Sequence, residues 1–577
     1  MLSTDPKLLM MNDEQVARAL KKQIHAPENR YNGGIRNDDT GIPSASHGGT
    51  PAYMAAMTAA LIAKDSRYYQ DLTVLNALDK AADYLLTTQH NDGTISLGGT
   101  NFNSPPDTGF VVAGVTQIYQ LLHRDSWERL KPITVKVKLF LERTIPAFLT
   151  GGCHTPNHRW VITAALGSLY EIFRLDALKE RANEWLAEGM DCTEDGEWTE
   201  RSNGIYNAVS DIMLYYTAKY LNRPDLLNHV RRNLKMMLYM IHPNGDIVTD
   251  YSGRQDFGGE HNLSGYYLSY KLMADLDRDP IFATMADLSL ANMTDLGSVN
   301  NHALLGSLLF PCDIDSLERQ PLPKSYSKVF NMNHPITEDL RQMAKVGHHS
   351  RILHSSMHTS FGAPVVRYRN DSTSVTAMTR TPSIFSLRHG RVKLLGIRIS
   401  TMFTPGIVEM EQFSLTESGY YMCCVMEKGY NGPIPKESLP ETAGMNISPW
   451  YLLPHHLRSL THVQRHQIEV YITQHGQSWS IQVKSDDIQD VLTQVSFVFS
   501  SDCKLTGNAL EPIGEHMQLW TKDTLRCSSG EDWIEITGGQ LDHQLRYTRN
   551  APVQSGVQTA VVNLLSPFDK TIQLKLS

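Results

Sequence analysis

Cysteine is scarce in this chain. Seven cysteines in 577 residues, odd in number and mostly scattered (Cys153, Cys192, Cys312, Cys503 and Cys527, with only Cys423 and Cys424 adjacent), exclude a disulfide framework and show no zinc-site spacing. Charge of one sign is lacking too: 53 Lys and Arg against 61 Asp and Glu give a formal charge of −8. That balance argues against a nucleic-acid or anionic-membrane surface as the main partner, though it permits a local basic cleft. No apolar run is long enough to span a bilayer, so no membrane partner is expected. The N-terminus, MLSTDPKLLMMNDEQVARAL, lacks the basic-then-apolar order of a signal peptide. The expectation is a soluble chain, cytoplasmic as it stands, or periplasmic or secreted if a leader has been removed. Phosphate-loop, dinucleotide and serine-hydrolase motifs are absent.

At 41% hydrophobic residues the chain is too apolar to be disordered, and its length suits two to four domains. To about residue 320 the spacing of Ala, Leu and Met predicts helices over 51–64, 73–88, 110–122, 134–148, 160–189, 205–221, 225–241 and 281–293. Similar punctuation recurs between them: Gln89 to Gly93, Glu194 to Trp198, and Pro243 to Asp246. Such a period suits a stack of helical hairpins, open as a solenoid or closed as a ring. From about residue 350 the segments 363–369, 373–380, 394–403, 421–427, 467–473, 479–484, 494–499, 532–537 and 557–564 are short, rich in Val, Ile, Thr and aromatics, and bounded by turn residues. They predict antiparallel strands of a sandwich. The expected division is helical 1–320, linker 321–350 and β-sandwich 351–577.

Three loops carry groups capable of chemistry. Gly151 to Trp160 (GGCHTPNHRW) sets His154, Asn157, His158 and Arg159 before an apolar helix. A cap explains Asn157 alone but not its neighbours. Thr199 to Asp211 (TERSNGIYNAVSD) places Tyr206 after a glycine one hairpin later. Asp250 to Asn262 (DYSGRQDFGGEHN) carries Arg254, Glu260 and His261 a further period on. Comparable ends of successive hairpins therefore bear His and Asn, then Tyr, then Arg and His. The earlier loop around Arg36 and the 101–109 loop have the same polar, glycine-rich character. Tyr31, Phe102 and Trp198 are expected to be exposed for stacking on sugars. His348, His349, His354 and His358 cluster within HHSRILHSSMH, but no cysteine or carboxylate completes a metal set.

At Asn157-His158, followed by Gly204-Ile205-Tyr206 and the Arg- and His-bearing loop, the sequence resembles the uronate polysaccharide lyases of heparinase II/III type. The resemblance implies an N-terminal (α/α) toroid of helical hairpins followed by a C-terminal antiparallel β-sandwich, and it covers the whole chain. It also looks like the lyase family that releases L-rhamnose capping glucuronate (polysaccharide lyase family 27). The implied activity is β-elimination at a uronic acid, glucuronate by preference, leaving a 4,5-unsaturated uronate. The implied partner is an acidic oligo- or polysaccharide; the oligomeric state stays open.

The resemblance implies His158, Tyr206, Asn157 and Arg254 as the catalytic set. His154, Arg159, Arg201, His261, Glu260, Arg36 and Trp198 are the expected substrate contacts, with Arg201 or Arg254 favouring ionisation of Tyr206. No cofactor is expected, with structural zinc or calcium left open. A glycoside hydrolase on the same scaffold is the alternative, using two of Asp38, Asp39, Asp107, Glu200 and Glu260. A non-catalytic carbohydrate-binding protein is a third reading.

Overall fold

The computed structural model describes residues 5–345, 358–439, 441, 450–552 and 555–577. The chain divides into two compact units: residues 1–324 with 331–362, and residues 325–330 with 363–577.

The first unit is built on α1 (Pro6–Lys22), α2 (Thr50–Ile62), α3 (Leu72–Thr88), α4 (Pro105–Arg124), α5 (Lys131–Thr150), α6 (Pro156–Phe173), α7 (Asp176–Ala187), α8 (Tyr206–Leu221), α9 (Leu227–Met237), α10 (Tyr267–Asp277), α11 (Pro280–Ala291) and α12 (Ala303–Leu309). Each even-numbered helix packs on the next, from α2 through α4, α6, α8 and α10 to α12, and α12 returns to α2. This closes an inner ring. The odd-numbered helices α3, α5, α7, α9 and α11 each lie against the even-numbered helix before them, and α1 lies against α2. The closed (α/α) ring is thus favoured over an open solenoid.

Composition follows position. Inner α2 (TPAYMAAMTAALI) is apolar all round and nearly every residue is buried, whereas outer α7 (DALKERANEWLA) buries only Leu178 and Ala182. The 160–189 stretch, expected as one helix, is two. Arg174 adopts a left-handed conformation (φ 53°) that ends α6, and α7 restarts at Asp176.

The recurring punctuation has a structural cause. Gly93, Gly196 and Gly245 all sit at positive φ (85°, 99° and 92°) after an outer helix, where the chain turns back inward. A Cβ at Gly93 or Gly196 would run into the backbone carbonyl of Arg143 in α5 or Arg232 in α9. Neighbouring amides stitch the same places. Gln89 donates to Gly93 O and Phe140 O, and Asn233 donates to Gly196 O at 2.7 Å. Each turn is thereby fastened to the next hairpin.

The second unit is a pair of sheets. One runs Ser325–Phe330, Val365–Asn370, Thr373–Met378, Phe385–His389, Val392–Thr401, Leu492–Ser500, Val557–Leu565, Met517–Trp520 and Leu510–Pro512. The other runs Lys504–Thr506, Thr524–Ser529, Asp532–Thr537, Asp569–Leu576, Ser478–Ser485, Leu460–His475, Gly419–Asn431 and Gln412–Leu415. Pairing is antiparallel, except where Met517–Trp520 joins Val557–Leu565 in parallel. Residues such as Phe385, Ile397, Ile472, Trp479 and Phe497 fill the core. The period-2 burial of 466–472 shows why one face of each strand is apolar.

The 321–350 segment, expected to be a linker, contains structure belonging to both units. Ser325–Phe330 pairs in register with Val365–Asn370, and the helix α13 (Ile336–Lys345) belongs to the first unit. Its prolines concealed a strand that sits at the sheet edge, where few buried side chains mark it. No helix among the described residues is long and apolar enough to cross a membrane.

Candidate active site

Because the inner helices run in the same sense, their N-termini gather at one end of the ring. The starts of α4, α6 and α8 line a cleft of about 1060 Å³ in the helical unit, together with His47, the 97–107 loop and the 253–255 loop. The positive ends of the helix dipoles favour an anionic ligand there, although the first N–H groups are largely capped: Asp107 N donates to Ser104 Oγ, His158 N to Thr155 O and Tyr206 N to Ser202 Oγ.

Pro156 opens α6, so Asn157 and His158 fall in its first turn. His158 lines the cleft and His154 packs edge-on against it, with ring centroids 5.0 Å apart. On the other side Phe110 of α4 meets His158 edge-on at 6.0 Å and His47 at 4.8 Å, giving a floor of rings. Burial, reinforced by His154, Arg254 and His47, lowers the His158 pKa to about 3. The imidazole is therefore neutral at neutral pH, and its buried Nδ1 has no hydrogen-bond partner among the described residues.

Tyr206 is the first residue of α8. Its backbone N–H donates to Ser202 Oγ at 3.1 Å, and its hydroxyl accepts from Gln255 Nε2 at 3.1 Å. The Arg254 guanidinium lies 4.2 Å from the centre of the Tyr206 ring. Asp256 ties the two loops together, accepting from Ser202 Oγ (2.8 Å), Gly204 N (2.9 Å) and Ser252 Oγ. A side chain at Gly204 would lie 2.8 Å from His261 Cγ and 3.0 Å from Asp256 Oδ2, so glycine is required for the loops to meet.

Glu200 joins the set from behind. Buried to 2% exposure, it accepts from Asn157 Nδ2 at 2.7 Å through one oxygen and from Arg254 Nη1 through the other. Burial pushes its pKa up to about 7, against the downward pull of Arg254 and Asn157. Only as a loop carboxylate did the sequence single it out; its bridging position depends on contacts over 43 and 54 residues. His358 stands beside Gly253, and burial followed by Arg254 lowers its pKa to about 4. His348, His349 and His354 lie outside the described residues, and no metal-binding cluster occurs among those that are described.

Several expected substrate contacts lie elsewhere. Trp198 is in the core, 2% exposed, donating through Nε1 to Asp211 at 3.1 Å, so it offers no face to a sugar. Arg201 is fully buried against Glu197 (3.2 Å) and the Tyr251 ring, and Arg254 takes the place beside Tyr206 instead. Arg159 turns toward Glu188 and Asp191, each at 3.2 Å, and stacks on Trp160. Arg36 and Glu260 are exposed outside the cleft lining, and half-buried His261 packs behind Gly204. Of the aromatics, Phe102 remains at the rim, 69% exposed.

The cleft lining contains one carboxylate, Asp107, which accepts from Ser104 and Asn101. Glu200 sits behind Asn157 and Arg254, while Asp38 and Asp39 are on the surface. Among the described residues, no two carboxylates face each other across the cleft as a hydrolase would require.

No protein-family model matches the sequence, and no curated protein is similar to it in sequence. The fold, by contrast, has solved counterparts. A heparan sulfate lyase HepC mutant from Pedobacter heparinus superposes with a TM-score of 0.52 at 10% identity, covering 98% of this chain and 82% of that one. Heparinase III gives 0.51 at 10% identity, covering 99% and 85%. A Paenibacillus xanthan lyase gives 0.53 at 9% identity, covering 99% of this chain and 57% of its own. In fold, this chain is similar to polysaccharide lyases. The helical unit followed by antiparallel sheets is the arrangement they share with it.

Proposed function

We propose that the protein is a polysaccharide lyase that cleaves a glycosidic bond at a uronic acid by β-elimination. The observation that carries this reading is the placement of Tyr206, Arg254 and neutral His158 on one cleft, which no carboxylate pair among the described residues faces. The similarity in fold to lyases supports it.

The chemistry demands these groups. Elimination removes the proton on C5, beside the carboxylate, and expels the oxygen on C4. The C5–H electrons become the C4=C5 double bond, and the C4–O electrons leave with the oxygen. While the carboxylate keeps its full charge, C5 is barely acidic, so cationic and N–H donors must neutralise that carboxylate as negative charge develops. Arg254, on the cleft lining, supplies this together with the helix dipoles, while Asn157, buried behind the lining, donates to Glu200 and helps hold the carboxylate that Arg254 also contacts. Tyr206, acting as the phenolate, takes the C5 proton, and the phenol so formed gives it to the leaving oxygen when both lie on one face, as in glucuronate. His158, on the same cleft, is the candidate base for the opposite face. Each proton transfer contributes about 10²–10⁴-fold.

The finer proposal is glucuronate as the uronic acid, with a capping L-rhamnose as the departing sugar. Phe102 at the cleft rim provides an apolar face for a neighbouring sugar. The test is incubation with rhamnose-capped arabinogalactan and uncapped glucuronate polymers, following unsaturated-uronate absorbance and released rhamnose. Unsaturated product without rhamnose would keep the lyase and discard the cap; neither product from any glucuronate polymer would discard the glucuronate assignment.

A further inference from the structure

The helical unit holds a second cavity, of about 310 Å³, at the seam where α12 returns to α2 and closes the ring. Met11, Glu14, Gln15 and Arg18 follow the three-and-four spacing of a single face of α1 and form one wall. Tyr53, near the start of α2, and the 294–298 loop before α12 form the others. A tight turn holds that loop: Asp295 accepts from Gly297 N at 2.9 Å, and Gly297 takes a positive φ of 83°. Gly48 lines this cavity, while its neighbour His47 lines the cleft that holds Tyr206 and Arg254. Val299 N donates to His47 O at 3.0 Å, so the loop is fastened to the wall that the two cavities share.

The polar groups of this cavity are uncommitted. Among the described residues, Glu14, Gln15, Arg18 and Tyr53 have no hydrogen-bond, ion-pair or ring partner. Sugar hydroxyls donate and accept at once, which suits a site that sets carboxylate acceptors beside guanidinium and amide donors. Tyr53, half-buried, adds aromatic surface for the apolar face of a sugar ring. The volume lies at the small end of ligand pockets, which span roughly 300–1,000 Å³, and suits one sugar rather than a chain. Charge then selects among sugars. Two carboxylates, Glu14 and Asp295, line the cavity against a single guanidinium, Arg18, so a uronate there would meet net repulsion.

We infer that this cavity is a subsite for an uncharged sugar residue of the same polysaccharide whose uronate occupies the cleft. The inference rests on the cleft being a uronate site, not on which of its groups moves the proton. Two observations favour one substrate reaching both places. Gly48 and Tyr53 flank the start of α2, and the 294–298 loop precedes α12, so the cavity lies at the same end of the ring as the starts of α4, α6 and α8. The two linings also differ in charge: Arg254 in the cleft suits a carboxylate, whereas acidic groups prevail beyond the His47–Gly48 wall. The substrate class is thus a glycan in which uronate is accompanied by neutral sugars.

The test is calorimetric binding to the full-length chain carrying Tyr206→Phe, so that no turnover is needed. The probes are a glucuronate-containing disaccharide and a longer oligosaccharide of arabinogalactan, whose other sugars are neutral. The longer probe should bind more tightly. Adding Tyr53→Ala should weaken the longer probe about two- to tenfold and leave the disaccharide unchanged. Glu14→Ala with Arg18→Ala, both exposed on α1 and harmless to folding, should do the same. Equal binding of the two lengths would overturn the inference, as would substitutions that weaken both lengths alike. Oligoglucuronates should show no Tyr53→Ala effect, and an effect there as large as with arabinogalactan would overturn the assignment to an uncharged sugar. Failure of the lyase reading is distinct: the wild type would then bind the probes without forming unsaturated product.

Discussion

Asn157 and Glu200 are joined by a 2.7 Å hydrogen bond, the side-chain amide donating to one carboxylate oxygen while Arg254 donates to the other. Glu200 thus positions two of the proposed catalytic groups, and its pKa of about 7 makes that arrangement sensitive to pH. A folded-state value above the ordinary carboxylate value of about 4.3 means that its stability contribution is complete below pH 4.3 and lost as pH rises through about 7. Glu200→Gln removes this dependence. Its melting temperature relative to wild type should rise between pH 4.5 and 7.5, by the equivalent of ~3 kcal/mol at most. Parallel melting curves for the two proteins would contradict the assignment.

The Tyr206 hydroxyl is held by Gln255 and flanked by Arg254. Tyr206→Phe keeps the ring and its packing but deletes the proton carrier. The expected outcome is a loss of about 10²–10⁴ in kcat with little change in KM. A variant that turns over at the wild-type rate would remove Tyr206 from the mechanism.

Arg254 is proposed to meet the substrate carboxylate while also contacting Glu200 and Tyr206. Arg254→Lys retains the charge but not the planar fork, so kcat/KM should fall at least about tenfold. If binding of the carboxylate is its principal duty, KM for an uncharged, methyl-esterified substrate should be nearly the same for both proteins. An equal loss on ester and acid would assign Arg254 a structural role instead.

Neutral His158, with a pKa of about 3, predicts that its titration leaves no mark on the rate profile between pH 5 and 8. Below pH 6.5 the unfolded state binds protons that His158 and His358 refuse in the fold, so stability should fall as pH drops from 6.5 toward 4. Imidazole NMR titration checks this directly. A His158 resonance titrating near 6.5 would refute it.

Trp198 is enclosed in the helical core against Trp160, with ring centroids 6.2 Å apart. Trp198→Ala should cost about 3–5 kcal/mol of stability. The KM of the protein that remains folded should be unchanged. A raised KM at undiminished stability would return Trp198 to the substrate.

Both halves of the fold were legible because both periods were strong. All-round apolar stretches such as 51–64 could only be buried helices, and QIEVYIT could hardly be anything but a half-buried strand. Short elements were not, and neither was the 17-residue α1 (Pro6–Lys22), which lies outside every helical stretch read from the sequence. Lys504–Thr506 and Gln412–Leu415 are polar edge strands, visible only through their partners. α12 has only seven residues, too few for a period to declare itself, and α10 (Tyr267–Asp277) also went unread. His158, Tyr206 and Arg254 do stand on one cleft, at the comparable hairpin ends where the sequence placed them, whereas Asn157 is buried behind the lining. The loop 197–203 misled because its polarity looks solvated. Trp198, Glu200 and Arg201 are instead buried by contacts from distant helices and loops.

The central claim is elimination at a uronate, and the most direct measurement is ultraviolet absorbance during incubation with a panel of uronate-containing glycans, alongside a reducing-end assay. Growth of the 4,5-unsaturated uronate absorbance in step with new reducing ends, abolished in Tyr206→Phe, is the predicted result. New reducing ends without that absorbance would mean hydrolysis and would contradict the account.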